Sequence, residues 1–295
     1  MYRSRGSLSL HYAFRAALTG GFAFYIVHLV RSDKLLLYIA PKMETFVKLA
    51  AVALSMIAVY FAFAAFRALS GEQAADCGCE HGPSKSAFRN VATYLLFAAP
   101  LLFGWFVPDT IMGSNLVDKK GIVLSVADSD DSDAEKKTSN ANGAPTEGGM
   151  FYSEDLYEKQ YSSFAESLYL QDPIVIEASA YLEASTAIDL FLPAFLGKRV
   201  EIVGFVYKQE DMTDRQFVVA RLAMECCSAD STPYGFLVDW PDAAKLAEDQ
   251  WVTVEGVIRT TDYGGIEIAS IAATRVTPVE TPSTPYVYPN YDILE

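Results

Sequence analysis

The feature that most constrains this chain is a break in hydropathy and charge near residue 112. Before it lie three apolar runs, at about 16–30, 45–69 and 91–112. A helix needs roughly 20 apolar residues to cross the hydrocarbon of a bilayer. The second and third runs have that length. The first reaches it if Tyr12–Arg15 and Arg31 extend their long stems toward the headgroups. Charge divides at the same place. Residues 1–112 carry 10 Lys/Arg and 6 Asp/Glu, a net of +4; residues 113–295 carry 13 and 31, a net of −18. An apolar, mildly basic half before a polar, acidic half reads as a membrane anchor joined to a water-soluble domain. The acidic excess argues against a nucleic-acid partner, because phosphate binding needs clustered Lys/Arg.

The expected organisation follows: a membrane domain over 1–112 with about three transmembrane helices, a flexible acidic linker over 113–150, and a soluble domain over 151–295. The first run is not read as a cleaved signal peptide, since no small-residue cleavage site closes it and further apolar runs follow. Between the first two runs, Asp33–Met43 is apolar for six residues from Leu35 and is then broken by Pro41. It is too short to span and reads as an interfacial or re-entrant segment, or as a simple loop. With three spans, the N-terminus and the 70–90 loop share one side of the bilayer, and the acidic domain lies on the other. Lys/Arg counts near the span ends are six against six, so they do not orient the chain. The basic, acid-free N-terminal tail favours a cytoplasmic N-terminus and an extracytoplasmic acidic domain. His28, near the end of the first run, reads as an interfacial packing residue rather than part of an ion path.

Residues 127–149 contain no large apolar side chain and cannot build a core. Aromatic residues at 157, 161, 164 and 169 then fall on one helical face. From Pro173 the pattern turns to strands: Ile174–Ile176, Arg199–Tyr207, Gln216–Leu222, Gly235–Trp240, Trp251–Arg259 and Ile266–Val276. A helix is expected within Tyr181–Phe195 and a helical turn within Asp242–Glu248. Five long strands, with a helix between the third and fourth, predict a small OB-like β-barrel. Gly204 and Gly256, at matching places in two strands, allow the sharp bends that such a barrel needs. The fold class is therefore α+β: N-terminal transmembrane helices followed by an OB-like barrel domain.

Four cysteines come as two close pairs. Cys226 and Cys227 precede Asp230 and a Pro-Tyr-Gly turn between two strands. Thiolates and carboxylates bind soft and borderline cations, so Cys226, Cys227 and Asp230 are candidate metal ligands. Adjacent residues in extended chain point to opposite faces, so both thiols reach one ion only if the turn is irregular. Two other readings stay open. Adjacent cysteines can form a strained, labile disulfide, although no neighbouring cation is evident in the sequence to activate the thiol. They can also be buried structural residues, as cysteine commonly is. The second set, Cys77, Cys79 and His81, places two thiols, the Glu80 carboxylate and an imidazole within five residues beside Gly78 and Gly82, and can also supply metal ligands.

A conventional enzyme is not expected. There is no phosphate-cradling glycine loop, no G-x-S-x-G and no H-E-x-x-H. All three histidines lie at positions 11, 28 and 81, so the soluble half lacks the commonest general base.

The layout resembles the YcgQ-like family of bacterial membrane proteins over nearly the whole chain. The resemblance rests on KLLLYIAPKM (34–43), the loop Cys/His cluster, GKRVEIVGFVY (197–207) and RLAMECCSADSTPYGF (221–236), of which the double cysteine is the most specific element. In that family the 70–90 loop is commonly His-rich; here it has only His81 beside Cys77 and Cys79. The resemblance implies a multi-pass protein of the bacterial plasma membrane. It also implies an accessory subunit whose partner is a polytopic permease, an association with homeostasis of a metal such as zinc, and no catalytic activity.

Overall fold

The computed structural model describes residues 5–70, 86–107, 111–125, 150–209 and 211–294. The chain divides into two compact units, Met1–Thr110 and Ile111–Glu295.

The first unit is helical. α1 (Arg5–Arg31) and α2 (Glu44–Ser70) are each 27 residues long, about 40 Å at 1.5 Å per residue. The hydroxyl of Ser9 donates to Ala65 O at 3.0 Å, and Gly20 faces Ala58. Contacts therefore run in opposite order along the two helices, which makes them an antiparallel hairpin. Small residues line the seam, with Ala23, Ala51, Ala64, Ala65 and Ala68 buried. They let the backbones approach closely. Large apolar side chains such as Phe46, Met56, Val59, Phe63 and Phe66 point outward and stay exposed. Two stretches, Ser9–Arg31 and Pro41–Ser70, are long and apolar enough to cross a membrane. The connection between the hairpin's helices holds two 3-10 turns, Leu35–Leu37 and Pro41–Met43, with Leu35 and Ala40 buried.

α3 (Ala87–Phe106) is 20 residues long and contains Pro100. It ends six residues short of the run expected to reach 112. The cause is Pro108, which forces Val107 out of the helical region to φ −84°, ψ 128°.

The second unit is built on a seven-stranded mixed sheet: β1 (Ile174–Ile176), β2 (Arg199–Tyr207), β3 (Gln216–Ala223), β4 (Thr232–Asp239), β5 (Trp251–Tyr263), β6 (Ile266–Pro278) and β7 (Tyr286–Val287). Five of these form a closed cycle of pairings. β2 pairs antiparallel with β5, β5 with β6, β4 with β3 and β3 with β2, while β6 pairs parallel with β4. β2 changes partner midway, with β5 along Arg199–Phe205 and β3 along Phe205–Tyr207. Gly204 sits at this change, where a Cβ would lie 2.6 Å from Ala220 O. Gly256 sits at the irregularity between β5 and β6, where a Cβ would lie 2.6 Å from Ala272 O. Both glycines are needed for close backbone approach rather than for a special dihedral.

Inside the cycle, Phe217, Val219, Val238, Val254, Ile258 and Ile271 form one core with Ile188 of α6 (Tyr181–Leu190) and Phe195 of α7 (Leu192–Phe195). The helix expected over Tyr181–Phe195 is split at Phe191, because Pro193 can sit only in the first turn of a new helix. α5 (Leu156–Tyr169) buries Tyr161, Ala165 and Leu168, with Phe164 and Tyr169 partly buried beside them, while Tyr157 of the expected aromatic face stays exposed. The element between β4 and β5 is a single 3-10 turn, Ala243–Lys245.

Residues 113–125 correct the expected linker. They form α4 (Ser114–Lys120) and a short bridge from Val123 to Tyr234. Val117 and Leu124 are buried, Ser114 bonds the Asp249 carboxylate through both backbone N–H (2.7 Å) and hydroxyl (3.0 Å), and Tyr207 donates to Asp118 at 3.1 Å. The anchoring groups come from distant strands and loops, so a local reading sees only a polar stretch. The remainder of that segment, 126–149, lies outside the described residues.

Residues beyond β6 form a strap. β7 pairs parallel with β3, the Asn290 backbone N–H donates to buried Glu183 at 2.6 Å, and buried Arg221 donates to Thr284 O at 3.1 Å while stacking over Trp251.

Candidate functional site

β3 and β4 are antiparallel neighbours that end at the pair Ala223–Thr232, leaving residues 224–231 as the connection. Its start is fixed by Met224, fully buried, whose N–H donates to Val287 O of the strap at 2.9 Å. Its end is fixed by Ser231, also fully buried. Between them a 3-10 turn, Ser228–Asp230, folds the chain back on itself. The Asp230 carboxylate clamps this fold: one oxygen accepts from Glu225 N (3.0 Å), the other from Cys226 N (2.8 Å) and Cys227 N (3.2 Å). Lys120 of α4 locks the far side, its ammonium donating to Ala229 O (3.0 Å) and Ser231 O (2.8 Å). Lys120 is the site residue that sequence reasoning missed, being more than a hundred positions away along the chain.

The folded turn gives the irregular backbone that two adjacent thiols need to face the same way. Cys226 Sγ and Cys227 Sγ lie 3.7 Å apart. The sulfurs and a carboxylate oxygen of Asp230 all fall within 4.8 Å of one another. A tetrahedral ion bound at the usual 2.3 Å zinc–sulfur distance separates two thiolates by about 3.8 Å. The sulfur spacing therefore fits a chelating dithiolate, and the donor set suits a borderline or soft cation. Cys226 is exposed and Cys227 half-buried, unlike the fully enclosed thiols of a purely packing role.

Electrostatics set the resting state. Hydrogen bonding to Asp230, and then to Cys227, pushes the Cys226 thiol up to about 12. At neutral pH Cys226 is protonated and a poor nucleophile. Burial works against the charged form of Asp230. Hydrogen bonds from the Cys226 thiol and from the N–H groups of Cys226, Cys227 and Glu225 outweigh it, and hold the carboxyl below its ordinary range. A carboxylate offers about four lone-pair sites. Three N–H groups and one thiol take them, and only the thiol bond is given up when Cys226 ionises.

The structure thus brings Cys226, Cys227 and Asp230 together. Cys77, Cys79 and His81 lie outside the described residues.

Two family models match the chain in order: the DUF1980 N-terminal domain over residues 14–123 and the DUF1980 C-terminal domain over residues 151–289. The chain is 26% identical over 290 residues to UPF0703 protein YcgQ of Bacillus subtilis, covering 93% of this chain and 99% of that protein. It is 23% identical over 197 residues to a Streptococcus mutans protein with the provisional name two-component membrane permease complex subunit, covering 66% of this chain and 72% of that one. Neither relative is named as an enzyme. The first model ends at Val123, the residue of the bridge to Tyr234, and the second takes in the clamped dithiol turn and the strap through residue 289. With both halves matched by the two domains of one family, the chain belongs to the DUF1980 family.

Proposed function

We propose that this chain is a membrane-anchored accessory subunit of a permease complex, whose second unit presents Cys226, Cys227 and Asp230 as a site for a divalent metal such as zinc. The observation that carries the metal reading is the pair of accessible sulfurs 3.7 Å apart beside a carboxylate. The permease reading is supported by the name of the Streptococcus mutans relative. The bilayer as a partner is supported by α1 and α2, whose exposed Phe, Val and Met side chains suit lipid better than water. α3 supplies the third crossing, and the acid-free N-terminal tail orients the second unit outside the cell.

The five-strand cycle, with β6 parallel to β4, supports reading this unit as an OB-type barrel and a binding module rather than an enzyme. It contains no histidine, and its acidic charge disfavours nucleic acid. A thiol-redox role draws on the same sulfur proximity, but the elevated Cys226 thiol weighs against it. Cys77, Cys79 and His81 form a separate candidate set on the opposite side of the membrane in this topology.

The test uses the full chain with Cys77→Ser and Cys79→Ser, titrated in detergent with cadmium as a zinc surrogate. An ultraviolet thiolate-to-cadmium band is expected, with proton release, and Cys226→Ser or Cys227→Ser removes it. No band under excess cadmium overturns the metal site. Affinity purification from membranes tests the rest: a co-purifying polytopic membrane protein is expected, and recovery of the chain alone overturns the permease reading.

A further inference from the structure

The helical unit holds a cavity of about 570 Å³ bounded by α1, α2 and α3. At one end it is lined by Arg15, Arg89, Thr93 and Tyr94, groups that donate hydrogen bonds or carry positive charge. His11 and Asn90 join them there, and further along the helices the walls become apolar at Leu18, Phe22, Phe61 and Phe97, with Thr19, whose hydroxyl donates to Arg15 O at 2.8 Å, as the polar exception. Arg15 lies six residues inside the candidate span Ser9–Arg31, about 9 Å along the helix axis from its start. A charge at that depth requires a partner. Its guanidinium lies 5.6 Å from the centre of the Phe61 ring and beside the Tyr94 hydroxyl, which also meets His11. None of these is an anion. No carboxylate lines the cavity among the described residues. The three helices together contain one acid, Glu44, which is paired with Lys48 at 2.7 Å at the beginning of α2, 17 residues before Phe61.

We propose that this cavity binds the phosphate headgroup of an anionic phospholipid, with an acyl chain along the Phe and Leu wall. The inference rests on the membrane reading above. Two arginines from different helices converge on one space, and the guanidinium fork matches phosphate oxygens in a bidentate way. The first turn of α3 supplies Arg89 and Asn90 to the same lining, and the helix N-terminus adds partial positive charge there although Ser86 caps Arg89 N–H. A free phosphate would use only the polar end. The gradient from arginine to phenylalanine matches a molecule with an anionic head and an apolar tail, which the bilayer supplies at that depth.

The experiment reconstitutes the full chain in nanodiscs and measures retained lipid by native mass spectrometry, with phosphatidylglycerol and phosphatidylcholine as probes. Preferential retention of phosphatidylglycerol is expected. Arg15→Gln and Arg89→Gln should each lower that preference by about fivefold, the effect of one basic residue at an anionic surface. Arg15→Lys and Arg89→Lys, which keep the charge but lose the bidentate fork, should lower it less than the Gln variants do, separating headgroup binding from misfolding. Equal retention of the two lipids, or Gln variants matching the wild type, overturns the proposal. So does displacement of phosphatidylglycerol by millimolar inorganic phosphate, which would make this a free-phosphate site. A preference that emerges only after Glu72→Gln, Asp76→Asn and Glu80→Gln also overturns it, by showing that the chain's own α2–α3 connection fills the cavity. Alkaline carbonate extraction separates the two readings. A protein that washes off the membrane removes the membrane reading itself, whereas one that stays without lipid preference removes only the headgroup site.

Discussion

Asp230→Asn separates a carboxylate that builds the dithiol turn from one that only awaits a metal. Asparagine keeps the shape but replaces one oxygen with an NH₂ group. Its remaining oxygen will turn to the side with two donors, Cys226 N and Cys227 N, leaving Glu225 N–H against the new amide. One bond is lost, and two lose the assistance of charge. Charge-assisted bonds contribute about 1.5–3 kcal/mol and neutral ones about 0.5–1.5 kcal/mol. The turn lies at the surface, where water replaces part of that difference. A net loss of about 1–2 kcal/mol remains, in the range measured for removing a helix cap. For a unit of this size that lowers the Tm by about 2–8 °C.

The effect has a pH signature. The Asp230 carboxyl is held below its ordinary range. Its contribution is therefore present above the unfolded value of about 3.9 and is lost as pH falls through the folded pKa. Wild type and variant should differ at pH 7 and converge in strong acid. The same substitution removes the largest influence raising the Cys226 thiol. Alkylation of Cys226 at pH 8.5 should accelerate by at least about tenfold, since the thiolate fraction rises tenfold for each unit the pKa falls. Thermal melts and iodoacetamide kinetics on the full chain, with Cys77→Ser and Cys79→Ser, read both. An unchanged Tm with unchanged alkylation would refute the clamp. Loss of cadmium binding alone would assign Asp230 as a ligand only.

Gly204→Ala and Gly256→Ala should each destabilise the second unit by about 1–3 kcal/mol in denaturant melts, since the new methyl meets the backbone carbonyl of a neighbouring strand. Phe195→Ala, at a fully buried centre of the core, should lose about 3–5 kcal/mol. Lys120→Met should loosen the dithiol turn without touching a sulfur, seen as faster amide hydrogen exchange at residues 225–231 with cadmium binding weakened but present. Cadmium affinity should rise about tenfold per pH unit for each thiol proton released between pH 6 and 8; a flat profile would exclude thiolate ligation.

What the sequence made legible follows from range. β2 and β5 are long enough for their alternating apolar residues to stand out, and Gly204 and Gly256 were visible as bends because they interrupt that alternation. α5 announced itself through the aromatics at 157, 161, 164 and 169, although the face it buries is Tyr161, Ala165 and Leu168 and Tyr157 stays exposed. α4 did not, because its seven residues bury chiefly Val117 and its anchors, Tyr207 and Asp249, are distant in sequence. β7, two residues long, carries no periodicity at all. At the site, two thiols and a carboxylate read directly as a donor set. That Asp230 is engaged by the backbone N–H groups of its own turn, and that Lys120 holds the other side, depends on geometry that residue spacing does not encode.

The strap imposes an order of events on biosynthesis. β7 completes the edge of β3 and holds Met224, so the dithiol turn lacks one of its fixings until residue 287 has been made. Arg221 and Glu183 stay without their strap partners for as long. The five-strand cycle likewise cannot close until β6 follows β5, and its pairings join residues far apart in the chain, a topology that folds slowly. The apolar hairpin of α1 and α2 emerges first and can be settled in its final environment well before then. Any ion captured by Cys226 and Cys227 in the finished geometry is therefore loaded only after the strap has been made.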